Sequence, residues 1–270
     1  MLDKTVDSVD AAVADIPDGA TVMISGFGRA GQPVELIDAL IAQGATDLTI
    51  VNNNAGNGDV GLAALLKAGR VRRIVCSFPR QHDSWVFDEL YRSGRIELEL
   101  VPQGTLAERI RAAGAGIGAF FSPTGVGTAL AEGREHRELN GRMHVIEYPI
   151  YADVALVSAL AADRWGNLVF RKTARNFGPI MATAAKVTIV QADAVVPLGS
   201  LDPEAIVTPG IFVDRVVEVG ERRWLRDGAF VGGVDVNGDP VAEEVSALPR
   251  ESIAGRSPLA SPQASAKATT

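Results

Sequence analysis

Apolar, β-type runs recur at regular intervals along the first hundred residues, beginning near Thr21 (TVMIS), Leu48 (LTIVN), Arg72 (RRIVCSF) and Ile96 (IELELV). Between the first three pairs lie helical patterns. Leu36, Ile37, Leu40 and Ile41 share one face of a helix while Glu35 and Asp38 lie on the other. Leu62, Leu65 and Leu66 repeat the pattern, as do Val86, Phe87 and Leu90. Each helix is followed by a glycine, Gly44, Gly69 or Gly94, the residue that a left-handed C-terminal cap favours. Strand and helix in strict alternation commit the chain to right-handed crossovers. The expected fold is therefore α/β, a mainly parallel sheet with helices on both faces.

A further helix is predicted from Thr105 to Ala113, after the fourth strand. The stretch Gly114 to Gly127 is glycine-rich, uncharged and aperiodic, which suggests a connection running close to a ligand or buried against another backbone. Residues Arg134 to Tyr148 alternate polar and apolar around Asn140-Gly141, a two-residue hairpin signal. Strands are expected at Val154–Ala159, Leu168–Phe170 and Val187–Val190, with a short helix near Pro179–Ala185. The core signal fades after Val219. Three segments result: a domain over residues 1–220, a polar extension over 221–248, and a Ser-, Pro- and Ala-rich tail over 249–270, expected to be disordered.

Composition narrows the function. Twenty-six basic against 33 acidic residues give a net charge of −7, which argues against nucleic acid or an anionic bilayer as partner. The N-terminus shows no basic cap followed by an apolar run, and the uncharged stretch Ala112–Ala131 contains five glycines, poor material for a span. A cytoplasmic location is expected. One cysteine, Cys76, and three histidines, His82, His136 and His144, form no recognisable metal motif, so no metal site is expected.

Gly26-Phe27-Gly28-Arg29-Ala30-Gly31 matches G-x-G-x-x-G between a strand and a helix. Where a nicotinamide site needs an acidic ribose ligand, however, the sequence reads Val51-Asn52-Asn53-Asn54. Pro33 also delays the helix past the last glycine, as its first residue. What the loop still supports is backbone N–H groups meeting an anion near a helix N-terminus.

Asp18-Gly19, Val22-Met23-Ile24, Ser25-Gly26-Phe27 and Gly31-x-Pro33 together resemble the first-subunit signature of family I coenzyme A transferases, with Ser25 replacing one glycine. Further blocks follow in the family's order: Asn53-Asn54-Ala55-Gly56, Pro102 to Ile110, Pro123-Thr124-Gly125, Gly166-Asn167 and Arg175-Asn176-Phe177. The resemblance covers residues 5–218 and implies the NagB/RpiA/CoA-transferase-like fold. Within the family, Asn57 to Leu66, Cys76 to Arg80 and Asn176 to Met181 look most like the branch acting on 3-oxoadipate. The longer insertion expected in the succinyl-CoA:3-ketoacid branch, before the hairpin, is missing.

By this resemblance CoA enters as part of the substrate, with no other cofactor. The substrates would be succinyl-CoA and a 3-oxo acid. The nucleophilic glutamate belongs to a Ser-Glu-Asn-Gly motif, and no Glu-Asn-Gly occurs in this chain. The resemblance thus implies a B subunit that carries it, in an A2B2 assembly. Gln103 would face that glutamate and serve the oxyanion or substrate environment. Ser25, Gly26, Phe27, Gly28, Arg29, Ala30 and Gly31, with Asn53 and Asn54 at the end of the second strand, are the candidates for binding CoA. Arg80 and Arg29 are the candidates for the distal carboxylate of a dicarboxylic acyl group. Arg171, Lys172 and Arg175 form a basic cluster suited to CoA phosphates, to the other subunit or to a solvated face. Glu108 reads as an ion-paired surface residue beside Arg111 rather than a nucleophile. The alternatives are acetoacetate as acceptor, and a non-catalytic CoA-binding module.

Overall fold

The computed structural model describes residues 2–220 and, beyond them, two short strands at 231–234 and 240–242. Two compact units result, Met1–Arg223 and Trp224–Thr270. In the second, β12 (Val231–Val234) pairs antiparallel with β13 (Pro240–Ala242). The expected tail over 249–270, and most of the expected extension over 221–248, lie outside the described residues.

The first unit is built on a twisted sheet whose strands run in the order β11-β10-β8-β1-β2-β3-β4. The four early runs become β1 (Thr21–Ile24), β2 (Leu48–Val51), β3 (Val71–Cys76) and β4 (Glu97–Leu100), paired in parallel in sequence order. The chain then crosses back. β8 (Ala152–Asp163) lies in parallel against the free side of β1, β10 (Ala185–Val196) against β8, and β11 (Arg215–Glu218) against β10. Only the two-residue β9 (Leu168–Val169) runs antiparallel in this sheet.

Alternation along β1 divides the core. Val22 and Ile24 face one layer, made by α1 (Val9–Val13), α2 (Val34–Gln43), α3 (Leu62–Lys67) and α4 (Trp85–Arg92), through Val13, Leu36, Leu40, Leu65 and Phe87. Met23 faces the other layer, with Leu106 and Ile110 of α5 (Gln103–Gly114) and Met181 of α6 (Gly178–Ala184). Gly44 caps α2 with φ +101°. Gly69 and Gly94, both at φ +69°, lie just beyond the caps of α3 and α4. Pro33, expected as the first helical residue, is instead the N-cap of α2, which begins one residue later at Val34.

The glycine-rich stretch departs from expectation. Phe120–Ser122 forms β5, which joins the hairpin β6 (His136–Leu139) and β7 (Arg142–Glu147) in a small antiparallel sheet, partly open to solvent. Within the stretch Gly114 makes the expected close approach, to Thr183 of α6. A chain of charges ties this sheet to the main one: Arg134 to Glu147, Arg109 to Glu99, and Glu99 to Arg73. Among the described residues, no helix is long and apolar enough to cross a membrane.

Burial alone would push the Glu99 carboxyl up, but hydrogen bonding and charge from Arg109, joined by Arg73, hold it below the usual carboxylate range. A lowered folded-state pKa means that this stabilisation is present above the unfolded value and is lost as pH falls through the folded one. Glu99→Gln is therefore expected to flatten the fall in stability on acidification below the ordinary carboxylate pKa. Urea midpoints measured at neutral and acid pH check this, and parallel curves for the two proteins would contradict it.

Candidate active-site edge

The carboxyl ends of neighbouring parallel strands are where open α/β sheets gather ligands. Here those ends are polar. β1 runs into Ser25, β2 into Asn52, Asn53 and Asn54, β3 into Ser77, and β4 through Val101 and Pro102 into Gln103 at the start of α5.

The three asparagines divide their work. Asn52 is fully buried and donates Nδ2–H to Ile24 O at 2.6 Å, binding β2 to the end of β1. Its Oδ1 accepts from Asn54 N–H, and Asn54 Oδ1 in turn accepts from Gly56 N–H, both at 2.8 Å, which turns the chain sharply. Asn54 Nδ2 is buried without a partner. Asn53 instead reaches sideways: its Oδ1 accepts from Gln103 Nε2 at 2.8 Å and from Ser77 Oγ at 2.7 Å. Asn53 and Gln103, both expected in the site, are thus in direct contact, whereas Asn54 is spent on the turn. Gln103 is itself exposed, so its Oε1 and second Nε2 proton remain at the edge.

The glycine loop is a tight, self-contained turn. Phe27 and Ala30 exchange backbone hydrogen bonds (3.0 and 3.2 Å), leaving Gly28 and Arg29 at the tip and the Phe27 ring half exposed. Ser25 is fully buried; its hydroxyl donates to Gly31 O at 2.7 Å and accepts from Ser158 N–H at 3.2 Å. Asn176 clamps the loop from outside. Its Oδ1 accepts from Gly26 N–H and Phe177 N–H, and its Nδ2 donates to Ala30 O and Thr173 O. The turn Lys172–Arg175 is thereby fastened to the loop, and with it the basic cluster. The first turn of α2 is not open to an anion at Leu36, whose N–H is taken by Gln191 Oε1 at 3.1 Å.

The remaining candidates separate. Arg80 ion-pairs with Asp88 at 2.6 Å, while Arg29 stays exposed at the loop tip. Glu108 pairs with Arg111 at 2.8 Å on the surface of α5. Cys76 is buried and its thiol is pushed up to about 12, so no thiolate nucleophile is present there at neutral pH. No group of His, Cys, Asp and Glu among the described residues could hold a metal. A cleft of about 300 Å³ between α5, α6 and Val207–Phe212 is lined by Arg111 but by none of the candidate site residues. Sequence reasoning missed two residues that organise the edge, Ser77 and Asn176. Both were visible only as members of longer similar blocks.

Residues 6–219 match the family described as Coenzyme A transferase. The chain belongs to the coenzyme A transferase family. It is 69% identical over 219 residues to the A subunit of the 3-oxoadipate CoA-transferase of Pseudomonas putida, covering 81% of this chain and 95% of that one. It is 50% identical over 214 residues to the A subunit of a probable succinyl-CoA:3-ketoacid coenzyme A transferase of Bacillus subtilis, covering 79% and 89%. The acyl-CoA transferase apoenzyme YdiF of Escherichia coli O157:H7 has the same fold at 24% identity, with a TM-score of 0.71 over 80% of this chain. This chain spans about half of that structure's chain, 47%. In this coenzyme A transferase the polar edge thus lies within the region shared with the family.

Proposed function

We propose that this chain is the A subunit of a two-subunit CoA-transferase that moves CoA from succinyl-CoA to 3-oxoadipate in the cytoplasm. The observation that carries the reading is the 69% identity to the Pseudomonas putida protein over 219 residues, 81% of this chain. The B subunit, in an A2B2 assembly, supplies the glutamate of a Ser-Glu-Asn-Gly motif. Attack by that carboxylate on the thioester carbonyl expels CoA as thiolate and leaves a mixed anhydride. The thiolate then attacks the glutamyl carbonyl, releasing succinate and leaving a glutamyl-CoA thioester, which 3-oxoadipate enters by the reverse sequence.

The role of this chain is electrostatic and positional. Gln103, held by Asn53, has one amide proton left to donate to the thioester oxyanion as charge develops. The Ser25–Gly31 loop, with Arg29 at its tip, borders the CoA site, and Asn53 supports the same edge. Asn54 reaches that site only through the turn it builds. CoA enters as substrate, and the reaction requires no metal or redox cofactor. The half-exposed Phe27 and Phe78 at the strand ends suit a surface that the partner or CoA covers.

The test is CoA transfer from succinyl-CoA to 3-oxoadipate by the chain alone and by the chain co-expressed with its B subunit. Activity is expected only in the pair, and Glu108→Gln in the pair should leave it intact. Turnover by the isolated chain would overturn the split site. Turnover by the pair with acetoacetate but not 3-oxoadipate would replace the acceptor.

A further inference from the structure

We infer that Ser77 is a positioning residue, whose hydroxyl sets the amide orientation of Asn53 and, through it, the face that Gln103 presents at the strand edge. The inference rests on the reading of Gln103 as a donor to the substrate. The backbone carbonyl of Asn53 already accepts from Ser77 N–H at 3.2 Å and Phe78 N–H at 3.1 Å, which fills its two acceptor sites. Ser77 Oγ lies 3.1 Å from that carbonyl but 2.7 Å from Asn53 Oδ1. The single hydroxyl proton therefore goes to Oδ1.

That proton breaks the symmetry of the Asn53 amide. Asn53 is 1% exposed, so water does not correct a wrong orientation. With Oδ1 turned to Ser77, the only complementary partner from Gln103 is Nε2, and this is the contact seen, at 2.8 Å. The other orientation would turn Asn53 Nδ2 toward Gln103, which would flip in response and direct Oε1 at Asn53. The groups presented at the edge would exchange, with the acceptor lost and the donor displaced. A preorganised donor loses its advantage when it must reorient during the reaction. Ser77 thus acts on the substrate through two amides, from the end of a different strand.

The test uses the co-expressed two-subunit enzyme. Ser77→Ala should lower kcat about tenfold, the scale of one hydrogen bond's worth of orientation, while KM for succinyl-CoA is unchanged. Ser77→Thr should restore kcat. A carboxylate at position 103 faces Asn53 Oδ1 acceptor to acceptor, so Gln103→Glu alone should be severely impaired. With Ser77→Ala the Asn53 amide can turn and donate, so the double variant should lose less than the product of the single losses. Asn53→Asp offers two equivalent oxygens to Gln103, and in that background Ser77→Ala should have no further effect on kcat.

Wild-type kcat in Ser77→Ala, or independent effects in both pairs, would overturn the inference. If Gln103→Ala retains full kcat, the reading of Gln103 itself falls. If Gln103→Ala is impaired while Ser77 and position 103 act independently, only the role of Ser77 falls.

Discussion

Gly31→Ala will destabilise the chain by about 3 kcal/mol, combining the cost of a side chain in the left-handed region with a backbone collision. Gly31 has φ +76°, and a Cβ there would lie 2.3 Å from Ala174 O and 3.0 Å from Asn176 Nδ2. Neither neighbour yields easily. Ala174 belongs to the turn that Asn176 fastens to the loop, and the Gly31 carbonyl is held by the buried Ser25 hydroxyl. Relief would mean breaking the clamp, so the loop and the basic turn would separate together. Gly28→Ala is the matched comparison. Gly28 has φ +60°, but a Cβ there would meet no atom within 4 Å, so only the backbone cost of about 1–2 kcal/mol applies. Urea denaturation of the two variants measures the difference. Equal midpoints would mean that the turn at Lys172–Arg175 moves freely, and that the loop is not the rigid unit argued above. In the two-subunit enzyme Gly31→Ala should also lose transfer activity, since its clamp borders the proposed CoA site.

The contrast between those glycines shows what a sequence can and cannot reveal. The loop was legible as a close-approach motif because glycines crowd it, but which glycine meets another backbone depends on a turn more than 140 residues away. The early strands and helices were legible because their periods and caps are local. β8 was harder to delimit: Ala152–Asp163 is buried on both faces and rich in alanine, so neither alternation nor bulky β-formers mark its ends. The five residues of α1 are too few for a helical period and depend on the Ser8 cap and on packing. The placement of β8 beside β1 follows from a crossover, not from any local signal. The small sheet was half legible. Asn140-Gly141 gives the hairpin, with both residues at positive φ, while β5 is hidden among glycines and forms only because β7 offers an edge. In the site, Asn53 and Gln103 each stood out at a strand end. Their mutual hydrogen bond spans 50 residues, and the hydroxyl that orients it comes from a serine with no distinguishing local pattern.

The second large effect is expected at Arg109, where Arg109→Met should destabilise the fold by about 2 kcal/mol, because it leaves the partly buried Glu99 with Arg73 alone and the buried Glu147 with Arg134 alone. Its side chain is 13% exposed and donates to Glu99 Oε1 at 2.9 Å and to Tyr148 O at 2.7 Å. It also lies 3.8 Å from Glu147, whose side chain is 6% exposed. Glu147 keeps Arg134 at 2.6 Å, but that contact lacks hydrogen-bond geometry, so the pair is an ionic contact rather than a directed bond. Methionine preserves most of the apolar stem, and the cost therefore reports on charge rather than on packing. Arg95→Ala, which breaks an ion pair exposed on both sides, should change stability by no more than about 1 kcal/mol. If the charges are the cause, adding Glu99→Met and Glu147→Met to Arg109→Met should recover much of the loss, because the desolvated carboxylates disappear with their partner. Should Arg109→Met prove as mild as Arg95→Ala, the apolar packing of α5 through Leu106, Ile110 and Ala113 must hold it in place. The distinction bears on function. Arg109 fastens α5 to β4 and to the chain leaving β7, and Gln103 begins that helix. Loosening the network should therefore lower kcat in the two-subunit enzyme before the fold is lost, and increasing urea at concentrations well below the unfolding midpoint should widen the gap from the wild type.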